Sequence, residues 1–131
     1  MDPKKAAILL IEDDPTLIEM YQMKFRLSGL KLLVATGGYS GLAMVKKVKP
    51  DLVLLDIRMD DLDGFEVLKR MKADPTLKDI PVYLLTNMGE KDAAEKGKRL
   101  GADAYVMKAK LTPQEVVDMV SLRLNESQSH L

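Results

Sequence analysis

Five short apolar runs, at residues 6–11, 30–35, 52–56, 82–86 and 104–107, punctuate the chain at intervals too long for hairpin turns. Runs of this length bounded by polar residues read as buried strands. The gaps carry helical patterns, expected over residues 15–27, 38–48, 64–73, 90–100 and 113–124. Strands alternating with helices specify an α/β sandwich around a parallel sheet, because parallel neighbours need a crossover that a helix supplies. The stops agree with these bounds. Ser28 and Gly29 close the first helix, with glycine free to take the left-handed conformation. Pro50 ends the second, and Asp74 with Pro75 the third. Val116, Val117, Val120 and Leu124 mark the apolar face of the last. The polar NESQSHL that follows is expected to fray, leaving one domain over residues 1–124 and a tail over 125–131.

Parallel strands joined by right-handed crossovers point their carboxyl ends to one edge, and ligands bind beyond that edge. Ionisable groups stand there. Glu12 and Asp13 follow AILLI, Asp56 follows LVLL, and Lys108 follows AYVM. Gathered carboxylates repel one another and bind protons more tightly unless a cation neutralises them, and hard oxygen ligands suit magnesium. Other acids have a different use. Asp14 before Pro15 reads as the N-cap of the first helix. Asp63 with Glu66, and Thr112 with Glu115, read as capping boxes. Twenty basic residues balance twenty acidic ones, so no global field favours nucleic acid or an anionic membrane. The absence of cysteine excludes disulfides and thiolate chemistry, and no apolar stretch is long enough for a signal peptide or a membrane span. A cytoplasmic location is expected.

The segments ILLIEDDP, PDLVLLDIRMDDLDGFEVLKRM, PVYLLTNM and LGADAYVMKAK together resemble the response-regulator receiver domain of two-component signalling, over nearly the whole chain and in the family's order. The resemblance implies a flavodoxin-like, doubly wound (βα)5 fold with strand order 2-1-3-4-5. It implies that Asp56 accepts a phosphoryl group from a phosphohistidine on a sensor kinase or histidine phosphotransfer protein. Asp13, Asp56 and the backbone carbonyl of Arg58 would hold Mg2+, with Glu12 acting through water. Lys108 would pair with the phosphoryl oxygens, Thr86 would donate its hydroxyl to them, and Tyr105 would then turn inward. The family's docking face, for partners or a second receiver, is the fourth helix, fifth strand and fifth helix, which here carries Lys91, Lys96, Lys98, Arg99 and Lys110. In that fourth helix Ala93, Ala94, Gly97 and Leu100 face inward, and a mid-helix glycine costs about 1 kcal/mol, so the helix is expected to be loosely held. By this resemblance the protein is no turnover enzyme.

Three departures from the family pattern stand out. Asp60 occupies a usual proline position, adding a carboxylate to an acidic loop. Asn87 replaces a small residue and is expected to narrow the phosphoryl pocket. Ala109 stands where proline with a cis bond is common; a non-proline cis bond costs roughly 2.5–4 kcal/mol, so a trans bond is expected. Arg58 and Met88 flank the path a hydrolytic water takes in the family, and long side chains there are expected to shield the acyl phosphate. His130, in the tail, is expected to be inert. Competing readings are a degenerate receiver acting as a phosphorylation-independent interaction module, a haloacid-dehalogenase-type phosphatase suggested by DLDG at 61–64, and a nucleotide site suggested by TGGYSG at 36–41. Asp61 does not end an apolar strand, and the glycine spacing misses the dinucleotide fingerprint.

Overall fold

The computed structural model of the chain describes residues 2–87 and 91–129; Met88, His130, the expected helix start at residue 90 and the side chain of Lys91 lie outside the described residues. Its elements run β1 (Ala7–Ile11), α1 (Pro15–Leu27), β2 (Lys31–Ala35), α2 (Gly38–Val48), β3 (Leu52–Asp56), α3 (Gly64–Ala73), β4 (Val82–Thr86), α4 (Lys91–Arg99), β5 (Ala104–Met107) and α5 (Pro113–Ser129). All neighbouring strands pair in parallel, in the order β2-β1-β3-β4-β5.

Side-chain alternation along the strands divides the core into two layers. Leu9, Ile11, Val53, Leu55, Val82 and Leu84 face α2, α3 and α4. Ile8, Leu10, Leu52, Leu54, Tyr83, Leu85 and Val106 face Tyr21 and Phe25 of α1 and the valines of α5. Strands β3 and β4 are buried throughout, as expected of runs covered on both faces. Full burial of each such aliphatic side chain is worth about 1.5–3 kcal/mol.

Local signals hold the ends. Asp14 accepts from the Thr16 and Leu17 amides, and Gly29 takes φ 75° just past α1. Thr112 and Glu115 exchange both bonds of a capping box, 3.1 and 3.2 Å. At α3 only half the box forms: Asp63 accepts from the Glu66 amide at 2.9 Å, while the Glu66 carboxylate turns to Arg70 at 3.2 Å. The amino ends of the strands use acids as stitches. Asp51 accepts from the Ala7 amide and Asp103 from the Val82 amide, at 2.8 and 3.0 Å.

One expected boundary is corrected. Helix α5 continues to Ser129 instead of stopping at Leu124. Residues 125–129 contain neither glycine nor proline, and Glu126 and Gln128 are good helix formers, so polarity alone gave no stop.

Candidate functional site

The ladder of backbone hydrogen bonds runs one residue past several strands and so fixes what stands on the rim. Glu12 N donates to Ala35 O at 3.0 Å, Ile57 N to Leu85 O at 3.1 Å, and Lys108 N to Thr86 O at 2.8 Å. Ile11 is level with Leu55, which places Glu12 beside Asp56 at the point where strand order reverses between β1 and β3. One oxygen each of Glu12, Asp13 and Asp56 lie within 4.8 Å of one another. The Lys108 ammonium reaches from the end of β5 into this group, 2.9 Å from Glu12 Oε2 and 3.0 Å from Asp56 Oδ1.

Burial makes this cluster unlike a surface ion pair. Glu12 is 1% exposed and Asp56 4%. Loss of hydration pushes the Glu12 carboxyl up to about 7, against the hydrogen bond from Lys108 and with the repulsion of Asp56. Burial also raises Asp56, aided by the charge of Asp13 and opposed by Lys108 and by the backbone amide of Arg58. Burial works against the charge of Lys108, yet its bonds to Glu12 and Asp56 outweigh that and raise its pKa. With all four groups ionised, two negative charges stay uncompensated. A divalent cation fits that deficit, and the donor set of carboxylate oxygens is the kind Mg2+ prefers.

The other expected residues take distinct places. Thr86 is buried at the end of β4, and its hydroxyl donates to the Asn87 carbonyl at 3.1 Å. Asn87 itself is exposed. Arg58 and Asp60 are exposed on the loop after β3, and Asp60 shares a shallow recess with Asp13 without joining the close carboxylate group. The Lys108–Ala109 peptide is trans. Tyr105 lies three residues back along β5, half-buried on the α4 side, where it lines a cleft of about 290 Å³ with Leu84, Ala94, Gly97 and Ala104.

On α4, Ala93 and Gly97 are buried and Ala94 half-buried, and Leu100 just past its end is half-buried, as the pattern predicted. The glycine has a packing reason, however: a Cβ on Gly97 would collide with Leu84 Cδ1. Lys98, Arg99 and Lys110 are exposed, while the Lys96 ammonium sits 4.5 Å from the centre of the Phe65 ring.

Sequence reasoning missed two features. Lys108 pairs with Glu12 as closely as with Asp56, which strand ends alone do not reveal. Asp61, considered only as a phosphatase nucleophile, instead accepts from the amides of Gly38 and Tyr39 at 2.9 and 3.1 Å. Those amides open α2, whose cap residue Gly37 offers no side chain. The TGG turn is therefore built for close approach to the loop after β3, and Gly38 leaves no room for a Cβ beside the Leu62 carbonyl.

A family model described as the response regulator receiver domain matches residues 8–121. The DNA-binding response regulator MtrA of Mycolicibacterium smegmatis is 34% identical over 128 residues, covering 98% of this chain and 54% of MtrA. The chain spans about half the length of the curated relatives it matches. Among solved structures, the receiver domain of a signal transduction histidine kinase from Syntrophus aciditrophicus superposes with a TM-score of 0.83 at 26% identity, over 92% of this chain and 91% of that one. The Mn2+-bound form of the response regulator Rcp1 superposes with a TM-score of 0.76 at 28% identity, over 88% and 89%. No helix among the described residues is long and apolar enough to cross a membrane.

Proposed function

The chain belongs to the response regulator receiver domain family, whose members accept phosphoryl groups in signalling, and on that premise we propose that Asp56 takes a phosphoryl group from a phosphohistidine of a sensor kinase or phosphotransfer protein. The single observation that supports this reading is the buried Glu12–Lys108–Asp56 bridge at 2.9 and 3.0 Å, a cation held where phosphoryl charge would arrive.

Asp13, Asp56 and the Arg58 carbonyl are the residues that would hold Mg2+, with Glu12 acting through water; the acidic trio and a relative in a Mn2+-bound form support a divalent site. When bound, the ion supplies neutralisation of charge on the transferring oxygens. The remaining chemistry belongs to the chain. An Asp56 carboxylate oxygen attacks phosphorus in line, the O–P bond forms as the donor's P–N bond breaks, and the imidazole leaves with a proton. Lys108 keeps its contact and turns it to the phosphoryl oxygens. Thr86 exchanges the Asn87 carbonyl for a phosphoryl oxygen, drawing its loop inward, and Tyr105 turns further into the cleft beside α4. The α4–β5–α5 face, with Lys98, Arg99 and Lys110 exposed, would then dock a partner or a second receiver. Such a protein acts once per phosphoryl group, in the cytoplasm, without contacting nucleic acid through this domain.

Incubation with Mg2+ and acetyl phosphate tests the reading by intact mass. A single phosphoryl increment that vanishes in Asp56→Ala is expected. No increment would leave a phosphorylation-independent interaction module, and multiple turnover on phosphate monoesters would indicate a hydrolase.

A further inference from the structure

The loop between β3 and α3 meets Asp56 at both ends. Near its start, the Arg58 backbone amide lies close enough to the Asp56 carboxylate to lower its pKa. At its far end, Gly64 N donates back to Ile57 O at 2.7 Å, closing the loop, and Gly64 lies so near the Asp56 carbonyl that a Cβ would not fit. Between these two ties stands Asp61. Its two carboxylate oxygens divide between two amides, Oδ1 accepting from Gly38 and Oδ2 from Tyr39, so one side chain caps a helix that begins 23 residues upstream. These amides hold its carboxyl below the usual carboxylate range. Gly37 keeps the approach open, since a Cβ there would stand 3.0 Å from Asp61 Oδ2.

From this geometry we infer that Asp61 is a positioning residue: it clasps the middle of the β3–α3 loop to the amino end of α2 and so sets the Arg58 backbone that touches Asp56. The inference builds on the proposed cation-dependent phosphorylation, but the clasp itself is a property of the metal-free protein. Its chemistry separates it from a mere charge. Asparagine has a single acceptor oxygen and alanine none, so neither can accept from both amides as the carboxylate does. Asp61→Asn therefore removes the charge and keeps one of the two bonds, Asp61→Ala removes the charge and both bonds, and Asp60→Ala removes a neighbouring charge alone.

Two measurements decide it. In 15N-labelled, metal-free protein, the Arg58 amide resonance moves most in Asp61→Ala, moves part of the way in Asp61→Asn and holds its place in Asp60→Ala. By calorimetry, Asp61→Ala binds Mg2+ about tenfold more weakly, the lower end of what losing an outer support costs a metal site, Asp61→Asn falls between it and wild type, and Asp60→Ala stays within about threefold of wild type, as expected of a screened surface charge. Gly37→Ala, which crowds the same carboxylate from the opposite side, moves the Arg58 amide in the same direction by less and serves if Asp61→Ala does not fold. An Arg58 amide and Mg2+ affinity unchanged in Asp61→Ala and Gly37→Ala would overturn the clasp, as would equal losses in all three Asp variants, which would make it an effect of charge. Wild-type protein that shows the predicted pattern yet takes up no phosphoryl group would overturn the proposed function and leave the clasp standing.

Discussion

Glu12 shows how burial changes what a carboxylate does. Its proton is held to about pH 7 in the folded chain against an ordinary 4.5. The folded state therefore binds the proton more tightly between those values, and stability of the metal-free protein falls as pH rises from about 4.5 to about 7, then levels. Mg2+ affinity runs the opposite way, climbing through the same window as the competing proton leaves. Urea melts and Mg2+ titrations at several pH values check both slopes, and a flat pair would contradict them. Asp56→Asn follows from the same physics: removing one of the crowded charges while keeping an acceptor for Lys108 should stabilise the metal-free protein by on the order of 1 kcal/mol. That advantage should vanish in saturating Mg2+, which the variant binds poorly. The positions of Glu12, Asp13, Asp56 and Lys108 were readable because each ends an apolar run. The role of Asp61 was not, since its partners lie in the TGG turn and only the fold brings them together.

Helices and strands were readable where chemistry marked their ends. Asp14, Asp63 and the Thr112–Glu115 box each cap the helix they were expected to cap, because the capping bond spans only two or three residues. The end of α5 had no such mark, and the helix runs on to Ser129 past the expected end at Leu124. Gly97 illustrates a subtler limit. Propensity alone makes a mid-helix glycine a weakness, and Gly97→Ala ought to gain about 1 kcal/mol. Packing against Leu84 reverses the sign: Gly97→Ala should cost about 1–3 kcal/mol in denaturant melts through overpacking. Adding Leu84→Val, which shortens the opposing side chain, should recover part of the loss. A stabilised single variant would show that α4 can shift freely, restoring the picture of a loosely held helix.

At the scale of the molecule, alternation of short apolar runs with helical patterns is enough for a parallel sandwich, but it does not order the strands. That order entered through resemblance to the receiver family, and the sheet β2-β1-β3-β4-β5 agrees with it. Its consequence is that acids at opposite strand ends serve different ends. Asp51 and Asp103 stitch the amino edge, while Glu12, Asp13 and Asp56 crowd the carboxyl edge around one ammonium. A divalent ion would relieve the crowded edge, and at a hundredfold excess over its dissociation constant it should stabilise the fold by about 2.7 kcal/mol. The central claim is that this relief serves phosphoryl transfer to one side chain. Peptide mapping by mass spectrometry after incubation with phosphoramidate, with Mg2+ and with a chelator, tests it most directly. One phosphoryl group on the peptide containing Asp56, present with Mg2+ and absent with the chelator, is the predicted result; an unmodified chain under both conditions, or a phosphoryl group on another residue, would contradict it.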